Sequence, residues 1–346
     1  MTLRDTKRRQ RWADALRILR ILLTVGLLTA VCLKTNASQL LGTLAHARPG
    51  WLLLGLVLVA AARYLGACQM QRVMGLAGIE FSIWQVIAVN LSAAFYEVVM
   101  PAAQLSGGLV RLRRFSKAKY QNTEVVAAIL FNRFMETLTL VALGLVFWAV
   151  SQPLGGSRAA IGAALGVLLA ALLVFHLEVK HSRISSAAAR WPLLRAGWQT
   201  LPQRLRGTAE RFVGHSVRSY RRFRLAHAAM LPVAAVALAR HLVFIASLRC
   251  FAHALGLEVP WLVFGWIRTV VVLLTMLPLS VGGFGLREGS LVVLLAPFGI
   301  AASQAVALSL VMFATVLLFG LLGGLAELRY ALQAGRKPLH FRTAAP

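Results

Sequence analysis

The chain has 346 residues, of which 59% are hydrophobic and 14% charged, and its mean hydropathy is +0.73. This composition is too apolar for a soluble globular domain of that length and is typical of a polytopic membrane protein. The net charge of +26 would suit a nucleic-acid-binding protein, but no folded domain with aromatic stacking positions accompanies the basic segments, so that class is disfavoured.

Eight apolar stretches are long enough to cross a bilayer as helices. They cover residues 16–35, 50–71, 83–100, 123–150, 159–177, 229–252, 262–281 and 301–328. None alternates apolar and polar residues with a period of two, which disfavours a transmembrane β-barrel. The sequence therefore predicts an all-α polytopic membrane protein.

Basic residues cluster between these spans and predict the topology. Of the 37 Lys and Arg, seven lie in 1–20, five in 111–119, eleven in 178–228 and four in 329–346. Such clusters mark the cytoplasmic segments of a bacterial inner-membrane protein, so both termini are expected in the cytoplasm. The first span follows a long basic segment and has no small-residue cleavage site, which predicts a retained signal anchor.

One membrane domain, residues 1–346, is expected, with one large loop. Its predicted parts are a basic segment and signal anchor (1–48), a first repeat (49–178), a basic cytoplasmic loop (179–228), a second repeat (229–330) and a cytoplasmic tail (331–346). The loop mixes apolar residues with many arginines. That mixture predicts short amphipathic helices on the anionic cytoplasmic leaflet.

Two segments share the order apolar run, proline, adjacent glycines and arginine. They are VMPAAQLSGGLVRLRR at 99–114 and MLPLSVGGFGLRE at 276–288. If all basic clusters are cytoplasmic, residues 83–110 begin and end in the cytoplasm, whereas 262–300 begin and end outside. Because a full crossing cannot do this, each segment is predicted to be a re-entrant helical hairpin, broken at its proline and glycines.

The two hairpins belong to a predicted internal repeat. Displacing the chain by 177 positions aligns 62–101 with 239–278 and gives eight identities. The informative matches are Arg63 with Arg240, Arg72 with Arg249, Trp84 with Trp261 and Pro101 with Pro278. Their opposite predicted orientations indicate an inverted-topology repeat, whose hairpins meet near the middle of the bilayer around a polar cavity.

The motif shared by residues 99–114 and 276–288 also predicts an anion-binding site. Glycines let a ligand approach the backbone, a helix starting there presents free N–H groups, and a following arginine adds a bidentate grip on phosphate. The candidate binding residues are Pro101, Gly107, Gly108, Arg111, Pro278, Gly282, Gly283 and Arg287. The alternative is that proline and glycine only form the turn and that Arg111 is one more cytoplasmic charge.

Six charged residues fall inside predicted spans, where each would cost about 2.5 kcal/mol or more if it faced lipid. They are Arg63, Glu97, Arg133, Glu136, Arg240 and Arg268. We expect them to face the interior and to line the cavity or couple transport to protons. Arg133 and Glu136, three residues apart, could simply pair with each other. Glu97 has no local cation and is predicted to be a counter-charge or proton carrier.

Enzyme signatures are missing from the sequence. There is no GxxxxGK[ST], HExxH or GxSxG motif, and the eight histidines lack ligand spacing. No catalytic residue, metal ion or cofactor is therefore predicted, and an ATP-driven pump is disfavoured. The enzymatic alternative is a membrane transferase or phosphatase that uses Glu97 and Glu136.

Four segments resemble one known family. They are PAAQLSGGLVR at 101–111, NRFMETLTL at 132–140, LPLSVGGFGLRE at 277–288 and FGLLGGLAEL at 319–328. Over roughly residues 15–330 the chain resembles the lysylphosphatidylglycerol synthase transmembrane-region family of flippase-like integral membrane proteins. The resemblance implies lipid translocation or handling, with Gly282, Gly283, Arg287 and Glu288 at the positions of the family motif.

Residues and resemblance together predict translocation of an anionic lipid across the bacterial inner membrane. The expected partner is a phosphatidylglycerol derivative or a polyprenyl phosphate, and not nucleic acid. With Glu97, Glu288 is the candidate for coupling movement to protons. Since the chain ends at Pro346, no soluble aminoacyl-transfer domain and no synthase activity are expected. The alternative is a non-catalytic accessory protein that presents a lipid-linked substrate to a partner glycosyltransferase or lipid-modifying enzyme.

Overall fold

The computed structural model describes residues 22, 24–31, 33, 35–100, 103–116, 122–151, 156–181, 227–276, 280 and 283–334. The regular structure in these ranges is entirely helical, which confirms the predicted all-α class. After a helical stretch at 24–31, the helices are α1 Ala37–Ala45, α2 Pro49–Leu76, α3 Ile83–Val99, α4 Ala103–Ser116, α5 Asn122–Val150, α6 Gly156–His181, α7 His227–Ala254, α8 Trp261–Met276, α9 Leu286–Leu295 and α10 Ala302–Ala334.

Four of the described helices are long and apolar enough to cross a bilayer, which makes the chain a multi-pass membrane protein. The spans are Pro49–Leu76, Thr123–Val150, Met230–Ala254 and Ala302–Arg329. Helices α3 and α8 are apolar but have only 17 and 16 residues. At 1.5 Å per residue they reach about 25 Å, less than the hydrocarbon thickness. Most of the predicted loop 179–228 and tail 331–346 lies outside the described residues.

Helices α2 and α7 pack against each other in antiparallel directions, and each has 28 residues. Near the start of α2, a Cβ on Gly55 would stand 2.3 Å from the ring of Phe251, near the end of α7. Further along α2, a Cβ on Gly66 would stand 3.1 Å from Nε of Arg240. The absence of these Cβ atoms lets the two helices approach closely along most of their length.

The same turn follows α2 and α7. Gly78 and Gly256 adopt φ angles of 73° and 72°, a left-handed conformation that glycine tolerates without strain. In both turns the N–H of the next residue donates to the carbonyl five residues earlier at 2.9 Å. Gln71 and Arg249 each donate to a backbone carbonyl ten residues later. The turns are thus 178 positions apart (78 to 256), and the predicted spacing of 177, which paired Arg72 with Arg249, is one residue short here.

Helices α3 and α4 form an antiparallel hairpin around a break between Val99 and Ala103. Close to the break, Ser106 Oγ donates to the carbonyl of Tyr96 at 3.0 Å. Farther from it, Arg111 Nε donates to Asn90 Oδ1 at 3.0 Å. The helix ends where the sequence places a proline, because a proline disfavours helical backbone in the residue before it; Pro101 itself lies outside the described residues.

Helices α8 and α9 form the second hairpin. Gly283, with a φ of 79°, packs on Thr275 at the end of α8, since a Cβ on this glycine would stand 3.3 Å from Thr275 Cγ2. At the other end the rings of Trp266 and Phe298 lie 6.5 Å apart. The predicted hinge residues Pro278 and Gly282 lie outside the described residues.

Helix α10 holds the first hairpin through small residues. A Cβ on Gly323 would stand 2.0 Å from the backbone oxygen of Leu91, and one on Gly324 would stand 3.0 Å from the ring of Phe95. Next to this contact Arg114 Nη2 lies 2.7 Å from both carboxylate oxygens of Glu327. The hairpin is therefore fixed to α10 by close backbone approach and by an ion pair.

Replacing Gly323 tests this packing. Gly323→Ala places a methyl group against the backbone of Leu91, which cannot rotate away, so we expect a loss of about 2 kcal/mol of unfolding free energy. Gly166→Ala in α6 is the control, because a Cβ there has open space and alanine favours helix by about 1 kcal/mol. Thermal unfolding in detergent should show a lower Tm for Gly323→Ala only; equal Tm values would contradict the close approach.

Candidate functional site

Three charged residues lie at the midpoints of three long helices. Arg63 is central in α2, Glu136 in α5 and Arg240 in α7. Each is about 20 Å along its helix from either end. In helices that span a bilayer this is the depth of the membrane centre, where an uncompensated charge is most costly.

Glu136 is the anion that holds this centre together. Its carboxylate accepts a short hydrogen bond from Arg240 of α7 and a 3.2 Å bond from Arg133 on its own helix. Asn132 Nδ2 lies 3.3 Å from the oxygen that Arg240 also contacts. The Glu136 side chain is 14% exposed and Arg240 21%, whereas Arg133 is 49% exposed. The local pair with Arg133 forms, and the more buried partner comes from another helix.

A histidine connects this ion pair to a further arginine. Arg268 Nη1 lies 3.2 Å from Nδ1 of His241, and His241 Nε2 lies 3.0 Å from the backbone oxygen of Glu136. Arginine can only donate and a carbonyl can only accept, so Nδ1 accepts and Nε2 donates. His241 is therefore neutral in this arrangement. Arg268 also stacks on Phe244, with its Cζ 4.8 Å from the ring centroid.

Arg63 lies beside the cluster without a carboxylate partner. Within the described part of the chain it forms no ion pair, and its Nε is buried without a hydrogen-bond acceptor. Its Cζ lies 4.4 Å from the ring centroid of Phe319 on α10. Glu97, Arg111 and Arg240 lie within electrostatic range. Arg63 thus joins the centre built around Glu136 to the first hairpin.

The first hairpin pairs Glu97 with Arg111. Their side chains approach to 3.1 Å and are 32% and 27% exposed. Glu97 has no cation nearby in sequence, but reversal of the chain at the hairpin brings Arg111 next to it. A Cβ on Gly107 would stand 2.0 Å from Glu97 Oε1, so this glycine makes room for the carboxylate, while Gly108 faces open space.

The second hairpin carries a separate ion pair. Arg287 donates to Glu288 at 2.5 Å and 3.1 Å and to Ser309 Oγ at 2.8 Å, and its guanidinium lies over the ring of Phe313. Glu288 is buried and also accepts from the backbone N–H of Gly285 at 2.8 Å, which caps α9. These contacts tie α9 to α10 and include none of the residues of the cluster around Glu136.

The residues around Glu136 and Arg63 form one cationic group, called here the central cluster. It contains five arginines and two glutamates, so with His241 neutral these described members carry a net charge of +3. The members are Arg63, Glu97, Arg111, Arg133, Glu136, Arg240, His241 and Arg268. Several of these side chains are partly exposed, and because contact of a charge with lipid is costly, we expect them to face water or other polar groups.

The structure brings together all six charged residues predicted inside the spans, and it adds two that the prediction omitted. Asn132 begins the segment NRFMETLTL that carries the family resemblance, but His241 lies in none of the four segments, and its available signal is only a polar residue within an apolar span. Of the predicted binding residues, Arg111 is a member of the central cluster and Gly107 packs against its member Glu97. Gly283, Arg287 and Glu288 lie in the second hairpin, and Pro101, Pro278 and Gly282 lie outside the described residues.

Fold and site define an all-α multi-pass membrane protein with a cationic cluster of side chains around the midpoints of its long helices. The family model described as "Lysylphosphatidylglycerol synthase TM region" matches residues 17–324. The chain belongs to this family, as the resemblance in its motifs indicated, and the family points to a function connected with membrane lipids. A comparison with curated proteins finds no match.

The different burial of the two arginines around Glu136 gives a testable difference. A double-mutant cycle with Glu136→Gln and Arg240→Gln should give a coupling energy of about 2 kcal/mol, because each single variant leaves a buried charge unpaired. The cycle with Arg133→Gln should give about 0.5 kcal/mol, because Arg133 is half-exposed. Unfolding titrations in mixed detergent measure both cycles, and equal coupling energies would argue against Arg240 as the principal partner.

Proposed function

We propose that the protein translocates an anionic lipid across the bacterial inner membrane, with the head group in the central cluster and the acyl chains in the bilayer. The observation that carries the proposal is the net charge of +3 on the described members of the central cluster, which surrounds the midpoints of α2, α5 and α7. Ion-pair networks that only stabilise a fold balance their charges, since an unpaired buried charge destabilises it. An excess of cations in a cleft favours an anionic guest, and a lipid phosphate provides one at this depth.

Arg63 is the principal contact in this proposal. It has no carboxylate partner in the described residues, and stacking on Phe319 occupies a face of its guanidinium. The N–H groups of a stacked guanidinium point outward in its plane, where they can donate to phosphate oxygens in a bidentate manner. Arg111 and Arg240 lie near enough to add to the attraction.

We also propose that the two halves form an inverted-topology repeat with re-entrant hairpins. Three observations support this proposal. Helices α2 and α7 have equal lengths and the same following turn, they run antiparallel, and each is followed by an apolar helix too short for a full crossing and by a reversal of the chain. Rocking one half against the other would open the cleft to each leaflet in turn.

The second hairpin has a different place in the proposal from the one predicted. Two N–H groups of Arg287 already donate to Glu288 and Ser309, and its guanidinium face lies over Phe313. We therefore place the head group at the central cluster and not at Arg287. Roles for Gly283, Arg287 and Glu288 in lipid binding stay predictions, as do those for Pro101, Pro278 and Gly282.

Replacing Arg63 separates transport from stability. Arg63→Gln removes a cation without an ion-pair partner, so the variant should unfold at the same or a higher Tm, while lipid movement falls about tenfold or more. Proteoliposomes containing acyl-labelled phosphatidylglycerol or phosphatidic acid, with dithionite quenching of the outer leaflet, measure the rate. Arg72→Gln, an exposed arginine in the same helix, is the control and should leave the rate unchanged.

Two outcomes of this experiment would count against the proposal. Wild-type protein that moves neither lipid would contradict translocation by the isolated chain. In that case, co-purification of a glycosyltransferase or lipid-modifying enzyme would favour the accessory function instead. Equal rates for wild type and Arg63→Gln would place the head group elsewhere. Analysis of the lipids after incubation separates both cases from the enzymatic alternative, which requires a chemically altered product.

The proposed inverted repeat predicts the sides of two equivalent turns. Glu80 and Glu258 occupy the turns after α2 and α7, and both are exposed. In a background without Cys32, Cys68 and Cys250, Glu80→Cys should react with a membrane-impermeant maleimide from the cytoplasm only. Glu258→Cys should react from the periplasm only. Labelling of both positions from the same side would rule out opposite orientations of the two halves.

A further inference from the structure

We infer that the central cluster selects lipids whose head group carries at least two negative charges, as a phosphomonoester or a diphosphate does. It would discriminate against a monoanionic phosphodiester such as phosphatidylglycerol and against an aminoacylated phosphatidylglycerol. The inference rests on the proposed function and names the substrate class for the same site. The charges and contacts of the central cluster support it.

The excess positive charge of the central cluster lies mainly on arginines without a carboxylate of their own. Glu97 pairs with Arg111, and Glu136 pairs with Arg240 and Arg133. Arg63 and Arg268 have no carboxylate within ion-pair distance in the described part of the chain. A head group with one charge would leave two of the three excess cations uncompensated, whereas a phosphomonoester, with about −1.5 to −2 charges at neutral pH, compensates most of the excess.

Arg63 and Arg268 are both held in position by neighbouring side chains. Arg63 and Arg268 each lie within electrostatic range of Arg240. Each stacks on an aromatic ring, Arg63 on Phe319 at 4.4 Å and Arg268 on Phe244 at 4.8 Å. Stacking holds a guanidinium in a fixed plane, so that N–H groups along its edges can bind oxygen; Nη1 of Arg268 already donates to Nδ1 of His241. Two oriented forks match the three terminal oxygens of a phosphomonoester better than the two free oxygens of a diester.

Glu97 would compete with a bound head group for the arginines of the central cluster. This carboxylate already occupies Arg111 and lies within electrostatic range of Arg63. A monoanionic head group that displaces Glu97 exchanges one negative charge for another and gains little. A dianionic head group gains one additional charge interaction for the same displacement. At the effective dielectric constant of a partly solvated site, one such interaction corresponds to about tenfold or more in affinity.

The family description names an aminoacylated lipid, lysyl-phosphatidylglycerol. Lysyl-phosphatidylglycerol carries two amines that are largely protonated at neutral pH and one phosphate, so its head group is a net cation. The central cluster is itself a net cation, and like charges repel at this distance. The charge of the site therefore disfavours this lipid more strongly than phosphatidylglycerol.

Equilibrium binding of soluble lipids tests the inference on the full-length protein in detergent. The probes are dioctanoyl phosphatidic acid, dioctanoyl phosphatidylglycerol and dioctanoyl lysyl-phosphatidylglycerol, which share their acyl chains and differ in the head group. Calorimetry at neutral pH should give at least tenfold tighter binding of phosphatidic acid than of phosphatidylglycerol, and the weakest binding for the lysyl lipid. Equal affinities, or tighter binding of either phosphodiester, would overturn the inference.

Variants assign the preference to particular charges. Arg63→Gln and Arg268→Gln should each lower the ratio of the two affinities severalfold, and Arg72→Gln, the matched control in α2, should leave it unchanged. Glu97→Gln should tighten the binding of phosphatidic acid severalfold, because it removes the internal competitor. A merely structural role for Glu97 does not predict tighter binding, and an unchanged ratio in both arginine variants would place the selectivity elsewhere.

A phosphomonoester head group can belong to a polyprenyl phosphate or to a diacylglycerol phosphate. Comparing farnesyl phosphate with phosphatidic acid distinguishes these two lipids. Tight binding of both farnesyl phosphate and phosphatidic acid indicates recognition of the head group alone. Preference for one of them identifies a polyprenyl or a diacylglycerol tail, and either result supports the inference if the phosphodiester binds more weakly. Failure of the inference differs from failure of the proposed function: in the first case phosphatidylglycerol binds and moves as well as phosphatidic acid, and in the second neither lipid moves.

Discussion

A guanidinium group in the middle of a bilayer requires a carboxylate, a polar acceptor, an aromatic face or water around it, and the interior of this protein is organised by that requirement. Glu136 provides for two arginines at once, one on its own helix and one on α7. Its backbone carbonyl binds His241, which in turn accepts from Arg268 of α8. One carboxylate and its peptide oxygen thus connect α5, α7 and α8, and the packing of these helices depends on keeping the group together.

Glycines make this arrangement possible by providing space for charged side chains. A Cβ on Gly66 would press on Arg240, and a Cβ on Gly107 would collide with the carboxylate of Glu97. Glycine in a membrane helix is usually explained by close backbone approach, and Gly323 on α10 is such a case. In the central cluster the same property lets an arginine or a glutamate lie between two helices instead of facing lipid. Alanine at Gly107 would therefore disturb the charges of the cluster as well as the hairpin.

Hydropathy and charge placed the helices and identified the six intramembrane charges, because both depend on composition over a local window. The pairing of those charges was beyond local patterns. Glu136 and Arg240 are 104 positions apart, and Glu97 meets Arg111 only through the reversal at the break. The identities gave a repeat spacing of 177, whereas the two similar turns are 178 positions apart. The match of Arg72 with Arg249 favoured the shorter spacing, although Gln71 and Arg249 make the corresponding hydrogen bonds. That Arg63 has no carboxylate partner among the described residues is a property of three-dimensional packing that no sequence pattern contains.

The spacing of 178 also bears on the symmetry of the proposed transport cycle. Gly55 faces Phe251 and Gly66 faces Arg240, and the same antiparallel register pairs Tyr64 with Leu242, which are 178 positions apart. An inverted repeat would have its pseudo-two-fold axis at this point, beside the central cluster. At the same spacing the equivalent of Arg63 is His241, an unpaired cation in one half and a neutral ring in the other. In the proposed cycle, exchanging the conformations of the two halves would give the central cluster different ion pairs, so the two proposed access states would differ in energy even without a ligand.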